Sequence, residues 1–160
     1  MKIKIQEIPE EGMCLSLDKH SIQCRSESLE IDGPLHGKLS ITKQGENFLY
    51  IRGVLSTRIL LTCGRCLNPF GHPVQSDFYL DYTPPIKDQS GQERCLYGEE
   101  LNLHFYQGDT LDIDEIIESQ LHLETPMAPC CHDNCKGLCP SCGENLNEGP
   151  HVCMIKTITI

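Results

Sequence analysis

Tryptophan is absent from this 160-residue chain, aromatic side chains make up only 6% of it, and 13 basic residues face 23 acidic ones. So few large rings leave room for a modest core, and a formal net charge of −10 argues against a generic phosphate-binding protein. No apolar run approaches the roughly 20 residues that cross a bilayer. Met1 to Ile8 alternate apolar and polar residues, and no apolar stretch of about 7–15 residues follows. They read as a strand rather than a secretory signal. Nor is there an arguable Ser-His-Asp order, phosphate-cradling glycine loop or carboxylate pair in an apolar setting, so no motif asks for an active site.

Cysteine, in contrast, is abundant. There are 11, an odd count, and six of them lie between Cys130 and Cys153. The chain reads as cytoplasmic, where thiols stay reduced, so this density points to metal rather than to a disulfide framework. The tail from Pro126 to Ile160 has few large apolar residues between Cys130 and Pro150, and a metal staple supplies what burial does not. Cys139-Pro140-Ser141-Cys142-Gly143 places two thiols on one turn, and the glycine permits a left-handed backbone there. Cys135 and Cys131 precede it at successive steps of four, so Cys131, Cys135, Cys139 and Cys142 form the first choice of ligand set. Cys153 and Cys130 are alternates, and His151 and His132 stand near enough to substitute. An all-thiolate closed site is structural by default, and Zn2+ fits it better than an iron–sulfur cluster.

Two enzyme-like coincidences fall away. Cys135-x3-Cys139-x2-Cys142 has the spacing of radical SAM enzymes, but only 18 residues follow, too few for the scaffold that chemistry needs. His122-Leu123-Glu124 ahead of Cys139-Pro140-Ser141-Cys142 evokes zinc deaminases, yet the proline sits inside the cysteine pair instead of before it. A further pair, Cys63-Gly64-Arg65-Cys66, stands alone between strands. It can be a structural turn, a redox pair, or half of a second metal site completed from the tail, for instance by Cys130 or Cys153. Cys14, Cys24 and Cys95 look isolated.

Leu35–Lys43 and Phe48–Leu61 are β-rich and joined by Gln44-Gly45-Glu46-Asn47, which predicts a hairpin. Leu49, Ile51, Leu55, Ile59 and Leu61 share one parity and form a core face. Phe48, Tyr50, Arg52, Ser56 and Arg58 share the other, setting cations beside aromatics. A third strand follows over Val74–Tyr82, then a loop over Thr83–Glu100, and an extended run over Leu101–Tyr106. Asp112 has the character of an N-cap with Glu115 three residues on, and Ile113, Ile116, Ile117 and Leu121 have helical spacing before Pro126. The predicted fold class is α+β, mainly β: an antiparallel sheet or partly open barrel, one amphipathic helix over about 112–124, and a zinc-knuckle-like tail. The predicted division is a β-rich domain over 1–125 and a Cys-rich tail over 126–160.

Charge is unevenly placed. Residues 33–76 hold 5 basic and 1 acidic side chains, while 77–125 hold 2 and 12. Lys38, Lys43, Arg52 and Arg58, with Arg65 nearby, are the candidate RNA contacts, and the acidic segment suits a cationic protein partner instead.

Two stretches carry a resemblance. Leu61-Thr62-Cys63-Gly64-Arg65-Cys66-Leu67-Asn68-Pro69-Phe70 closes the β-rich half. Cys131-His132-Asp133-Asn134-Cys135-Lys136-Gly137-Leu138-Cys139-Pro140-Ser141-Cys142-Gly143-Glu144-Asn145-Leu146-Asn147 continues to Pro150. Together they resemble the YceD family, the large ribosomal RNA subunit accumulation proteins of bacteria and plastids. The resemblance implies a metal-binding, non-enzymatic factor that supports synthesis, processing or stability of large-subunit ribosomal RNA. By position, Cys131, Cys135, Cys139 and Cys142 match the family's tail cysteines, and Cys63 and Cys66 its internal pair. The chain departs from the pattern where relatives often have Cys-x-Cys, here His151-Val152-Cys153, and Met154–Ile160 lacks the usual basic, helical end.

The reading is therefore a cytoplasmic ribosome-biogenesis factor with no membrane and no small-molecule substrate. Its expected partner is large-subunit ribosomal RNA or its precursor, or a ribosomal protein. The alternatives are an acidic adaptor or chaperone for a basic ribosomal protein and, third, a redox or iron–sulfur enzyme.

Overall fold

The computed structural model describes residues 1–18, 29–45, 48–84, 103–106 and 108–153. Cys24, Cys95, Glu46-Asn47 of the expected hairpin turn, most of the expected Thr83–Glu100 loop, Leu101 and the final Met154–Ile160 lie outside them. Eight strands and one α-helix make up the described fold: β1 (Lys2–Lys4), β2 (Met13–Ser16), β3 (Glu30–Ile31), β4 (His36–Gln44), β5 (Phe48–Thr62), β6 (Pro69–Thr83), β7 (Leu103–Phe105), β8 (Thr110–Asp112) and α1 (Ile113–Glu124). The architecture is mainly β with one helix, as expected, and the sheet is open rather than closed into a barrel. No described helix is long and apolar enough to cross a membrane.

The framework is the antiparallel meander β4-β5-β6. β4 pairs with β5 in the hairpin register Lys43↔Leu49 to His36↔Ser56, and β5 with β6 from Leu49↔Tyr82 to Thr62↔Pro69. β2 flanks β4, β3 pairs with the far end of β5, and β7 runs parallel to β6 at the edge. Strict alternation gives β5 its two faces. Leu49, Ile51, Leu55 and Ile59 are buried, whereas Phe48, Tyr50, Arg52 and Val54 are exposed. Gly53 lies on the buried face because Phe78 crosses it: a Cβ there would sit 2.2 Å from Cζ of that ring.

One helix covers the buried face. Asp112 caps α1 with Oδ1 accepting from the Asp114 N–H at 3.2 Å, and Ile113, Ile116, Ile117 and Leu121 point into the core beside Phe78 and Leu80. Glu124 Oε1 accepts from Ser76 Oγ at 3.0 Å, which ties the end of α1 to β6. Pro126, two residues past the helix, turns the chain toward the β5–β6 connection. The cysteines of that connection and of the tail form a second, smaller buried cluster, separate from the main core.

Candidate metal centres

The turn between β5 and β6 carries Cys63 and Cys66, and its backbone is closed by two bonds. The Leu67 N–H donates to the Cys63 carbonyl at 2.9 Å, and the Cys63 N–H donates to the Asn68 carbonyl at 2.9 Å. The same pattern recurs in the tail. Gly143 N–H donates to the Cys139 carbonyl and Cys139 N–H to the Glu144 carbonyl, both at 2.8 Å. Each turn also places a left-handed residue directly after its second cysteine, Leu67 at φ 59° and Gly143 at φ 77°. Two copies of one thiol-bearing turn are thus built from Cys-Gly-Arg-Cys-Leu-Asn and Cys-Pro-Ser-Cys-Gly-Glu.

The tail docks on the first turn. Gly64 N–H donates to the Pro129 carbonyl at 2.8 Å and Leu138 N–H to the Arg65 carbonyl at 3.1 Å. The Arg65 guanidinium reaches the carbonyls of Asp133 and Cys135 at 3.3 and 3.2 Å. Cys131 and Cys135 are thereby brought to Cys63 and Cys66, and the four sulfurs lie within 4.8 Å of one another. Sγ of Cys63 is 3.9 Å from that of Cys135, and Sγ of Cys66 is 3.8 Å from that of Cys131. A tetrahedral ion with arms of about 2.3 Å to sulfur requires sulfur–sulfur edges of about 3.8 Å, so the donor set fits zinc-like coordination. Surrounding donors point at the sulfurs as well: Cys131 N–H donates to Cys63 Sγ and Asn147 Nδ2 to Cys135 Sγ, each at 3.4 Å.

Cys139 and Cys142 face away from this cluster. Gly137, at φ 74° and packed on the Arg65 carbonyl, reverses the chain between Cys135 and Cys139. Those two cysteines gather with His151 and Cys153, and the four ligand atoms again lie within 4.8 Å of one another. The set Cys131, Cys135, Cys139 and Cys142 is therefore not brought together around one point. Of the alternates, Cys153 enters the distal group. Cys130 lies outside both, its thiol donating to the His132 carbonyl at 3.2 Å. Cys14 stays apart, exposed on β2.

The thiols are electrostatically frustrated without a cation. The N–H groups of Cys66 and Cys131 hold the Cys63 thiol down at about 5, while burial, reinforced by the neighbouring sulfurs, pushes Cys131 up to about 12. In the distal group the N–H groups of Ser141 and Cys142 bring Cys139 to about 6, and the adjacent Cys139 sulfur, with burial, drives Cys153 up to about 11. In the joining cluster Cys63 and Cys135 are held below the usual thiol value and Cys66 and Cys131 above it, and in the distal group Cys139 lies below and Cys153 above, so burial and the neighbouring sulfurs oppose further negative charge at each cluster. A dication removes that conflict.

Lys38, Arg52 and Arg58 share the exposed face of the sheet, with Arg52 stacked 4.9 Å from the Tyr79 ring centroid. Lys43 is not with them. Its register partner is the buried Leu49, which puts it on the opposite side, because positions 38 and 43 differ in strand parity. Arg65 is engaged in holding the tail. Asp77 and Asp81 interleave with the arginines on the exposed face, their partners on β5 being Val54 and Tyr50.

A family model, Large ribosomal RNA subunit accumulation protein YceD, matches residues 51–158, both cysteine clusters included. The chain belongs to the YceD family. Among curated proteins it is similar to the chloroplastic large ribosomal RNA subunit accumulation protein YCED homolog 1 of Zea mays, with 29% identity over 121 residues covering 62% of this chain and 41% of the relative. The Arabidopsis thaliana protein of the same name is 30% identical over 121 residues, covering 62% and 38%. An uncharacterised protein of Mycobacterium tuberculosis is 30% identical over 100 residues, covering 62% and 46%. The chain thus spans less than half the length of these relatives. No solved structure matches it.

The pairing of Cys63 and Cys66 with Cys131 and Cys135 had a sequence signal that spacing within the tail obscures. Cys-x2-Cys occurs twice, and each copy needs two further ligands. Asn147 and Glu144, which support the two clusters, had no signal beyond their place in the motif.

Proposed function

We propose that this YceD-family chain is a cytoplasmic, non-enzymatic zinc protein that supports synthesis, processing or stability of large-subunit ribosomal RNA. The family match and the names of the maize and Arabidopsis relatives support the ribosomal role. The observation that carries the metal assignment is the fit of Cys63, Cys66, Cys131 and Cys135 to the edges of a sulfur tetrahedron. Four buried or half-buried thiolates closing one ion leave no position for water, which supports a structural ion rather than a catalytic one. Sulfurs packed this closely also favour a single ion over a multi-iron cluster.

The ion joins the β5–β6 turn to the tail, and the function resides on the surfaces it holds in place. Lys38, Arg52 and Arg58, beside the exposed Tyr50 and Tyr79, supply cations and stacking faces for RNA. In cells lacking the protein, the Arg52→Ala, Arg58→Ala double variant is expected to fail to restore large-subunit ribosomal RNA. Full restoration would remove RNA contact by this face. The interleaved Asp77 and Asp81 and the net charge of −10 favour a second reading, an adaptor for a basic ribosomal protein. Quantified RNA and ribosomal proteins in a pull-down separate the two.

A further inference from the structure

The structure assigns a second metal site, distinct from the one that joins the sheet to the tail: Cys139, Cys142, Cys153 and His151 Nε2 hold a single Zn2+ ion in a three-sulfur, one-nitrogen tetrahedron. Three independent observations carry it. First, the Cys139–Glu144 turn has the same two backbone bonds as the Cys63–Asn68 turn and a left-handed residue at the same position, Gly143 in place of Leu67, so its two thiols converge in the same way. Second, the histidine is presented by the correct edge. Nε2 lies 3.4 Å from Cys142 Sγ, against an edge of about 3.6 Å for an ion bound to one thiolate and one imidazole. Third, the other ring nitrogen is taken: Nδ1 sits 2.9 Å from Glu144 Oε2. A carboxylate on Nδ1 keeps the proton there, leaves the Nε2 lone pair free for metal, and fixes the ring plane, the arrangement that metal-binding histidines require.

Three thiolates, a neutral imidazole and a dication sum to −1, whereas four thiolates and a dication sum to −2. The site is also local and open. Cys142 and His151 are nine residues apart, and Cys142 is exposed. Backbone bonds from Leu146 N–H to the Gly137 carbonyl and the bridge between Leu138 and Asn145 tie the loop back on itself. Glu144 is a positioning residue in this account and touches no metal.

The test is metal counting on the full chain, refolded or purified with excess zinc under reducing conditions. Two ions per chain are expected for the wild type, and one for the Cys139→Ser, Cys142→Ser double variant. His151→Cys is expected to keep two ions while shifting the cobalt(II)-substituted spectrum from mixed sulfur–nitrogen toward all-sulfur coordination. Glu144→Gln keeps two ions at saturation but weakens one of them about 10- to 100-fold in competition with a chromophoric chelator. One ion per chain in the wild type, two in the double serine variant, or a cobalt spectrum indifferent to His151→Cys would each overturn the assignment. A single ion lost on Cys63→Ser, Cys66→Ser would leave the joining site standing and the second site refuted.

Discussion

Graded urea treatment of the zinc-loaded chain is expected to release its two ions in order, the joining ion first. In the folded protein the β5–β6 turn presents Cys63 and Cys66 to the tail at no further entropic cost. Once the sheet melts, closing that site means bringing together residues such as Cys66 and Cys131, 65 positions apart. The distal site closes a far shorter span, Cys142 and His151 being nine positions apart. Loop-closure entropy rises as 3/2 RT ln n, so the unfolded chain pays about 1.8 kcal/mol more at the joining site, a roughly 20-fold weaker hold. Free zinc is buffered between the two affinities while a chromophoric chelator reports metal and far-ultraviolet circular dichroism reports the sheet. One ion should leave with the β-signal and the other at higher urea. Simultaneous loss, or loss of the distal ion first, would refute the argument that the fold itself completes one site and the local chain the other.

Gly53→Ala places a methyl group 2.2 Å from Phe78 Cζ and 2.6 Å from Leu39 Cδ2, and should lower unfolding free energy by about 1–3 kcal/mol in urea melts. Leu121→Ala empties a fully buried position under α1 and is expected to cost about 2–5 kcal/mol by the same measurement, without changing metal content. Leu67→Gly relieves a left-handed leucine at φ 59° on an exposed turn, where Gly143 stands in the other copy, and should raise the unfolding free energy by up to about 1 kcal/mol in urea melts. A loss instead would show that the Leu67 side chain packs usefully.

Much of the scaffold was legible because it follows from local periodicity. The alternation from Phe48 to Leu61 has one apolar parity, so the β4–β5 hairpin and its buried face were readable residue by residue. Asp112 and Pro126 bracketed α1, which runs over Ile113–Glu124. Parity also held the information that Lys38 and Lys43 face opposite ways, although charge counting alone merged them. The parallel pairing of β6 with β7 had no local signal, since it joins segments distant in the chain.

The two Cys-x2-Cys pairs and the glycine after Cys142 are local features that a few consecutive residues specify, whereas the left-handed leucine after Cys66 has no such signal. Which further ligands each turn receives is set by how the tail folds back onto the sheet. Steps of four from Cys131 through Cys135 to Cys139 look continuous along the chain, yet Gly137 reverses the backbone between the second and third. Leu138 N–H meets the Arg65 carbonyl there, so Cys131 and Cys135 turn to the sheet and Cys139 and Cys142 turn away from it. Ligand sets depend on where side chains converge, and that convergence rests on bonds between residues some 70 positions apart.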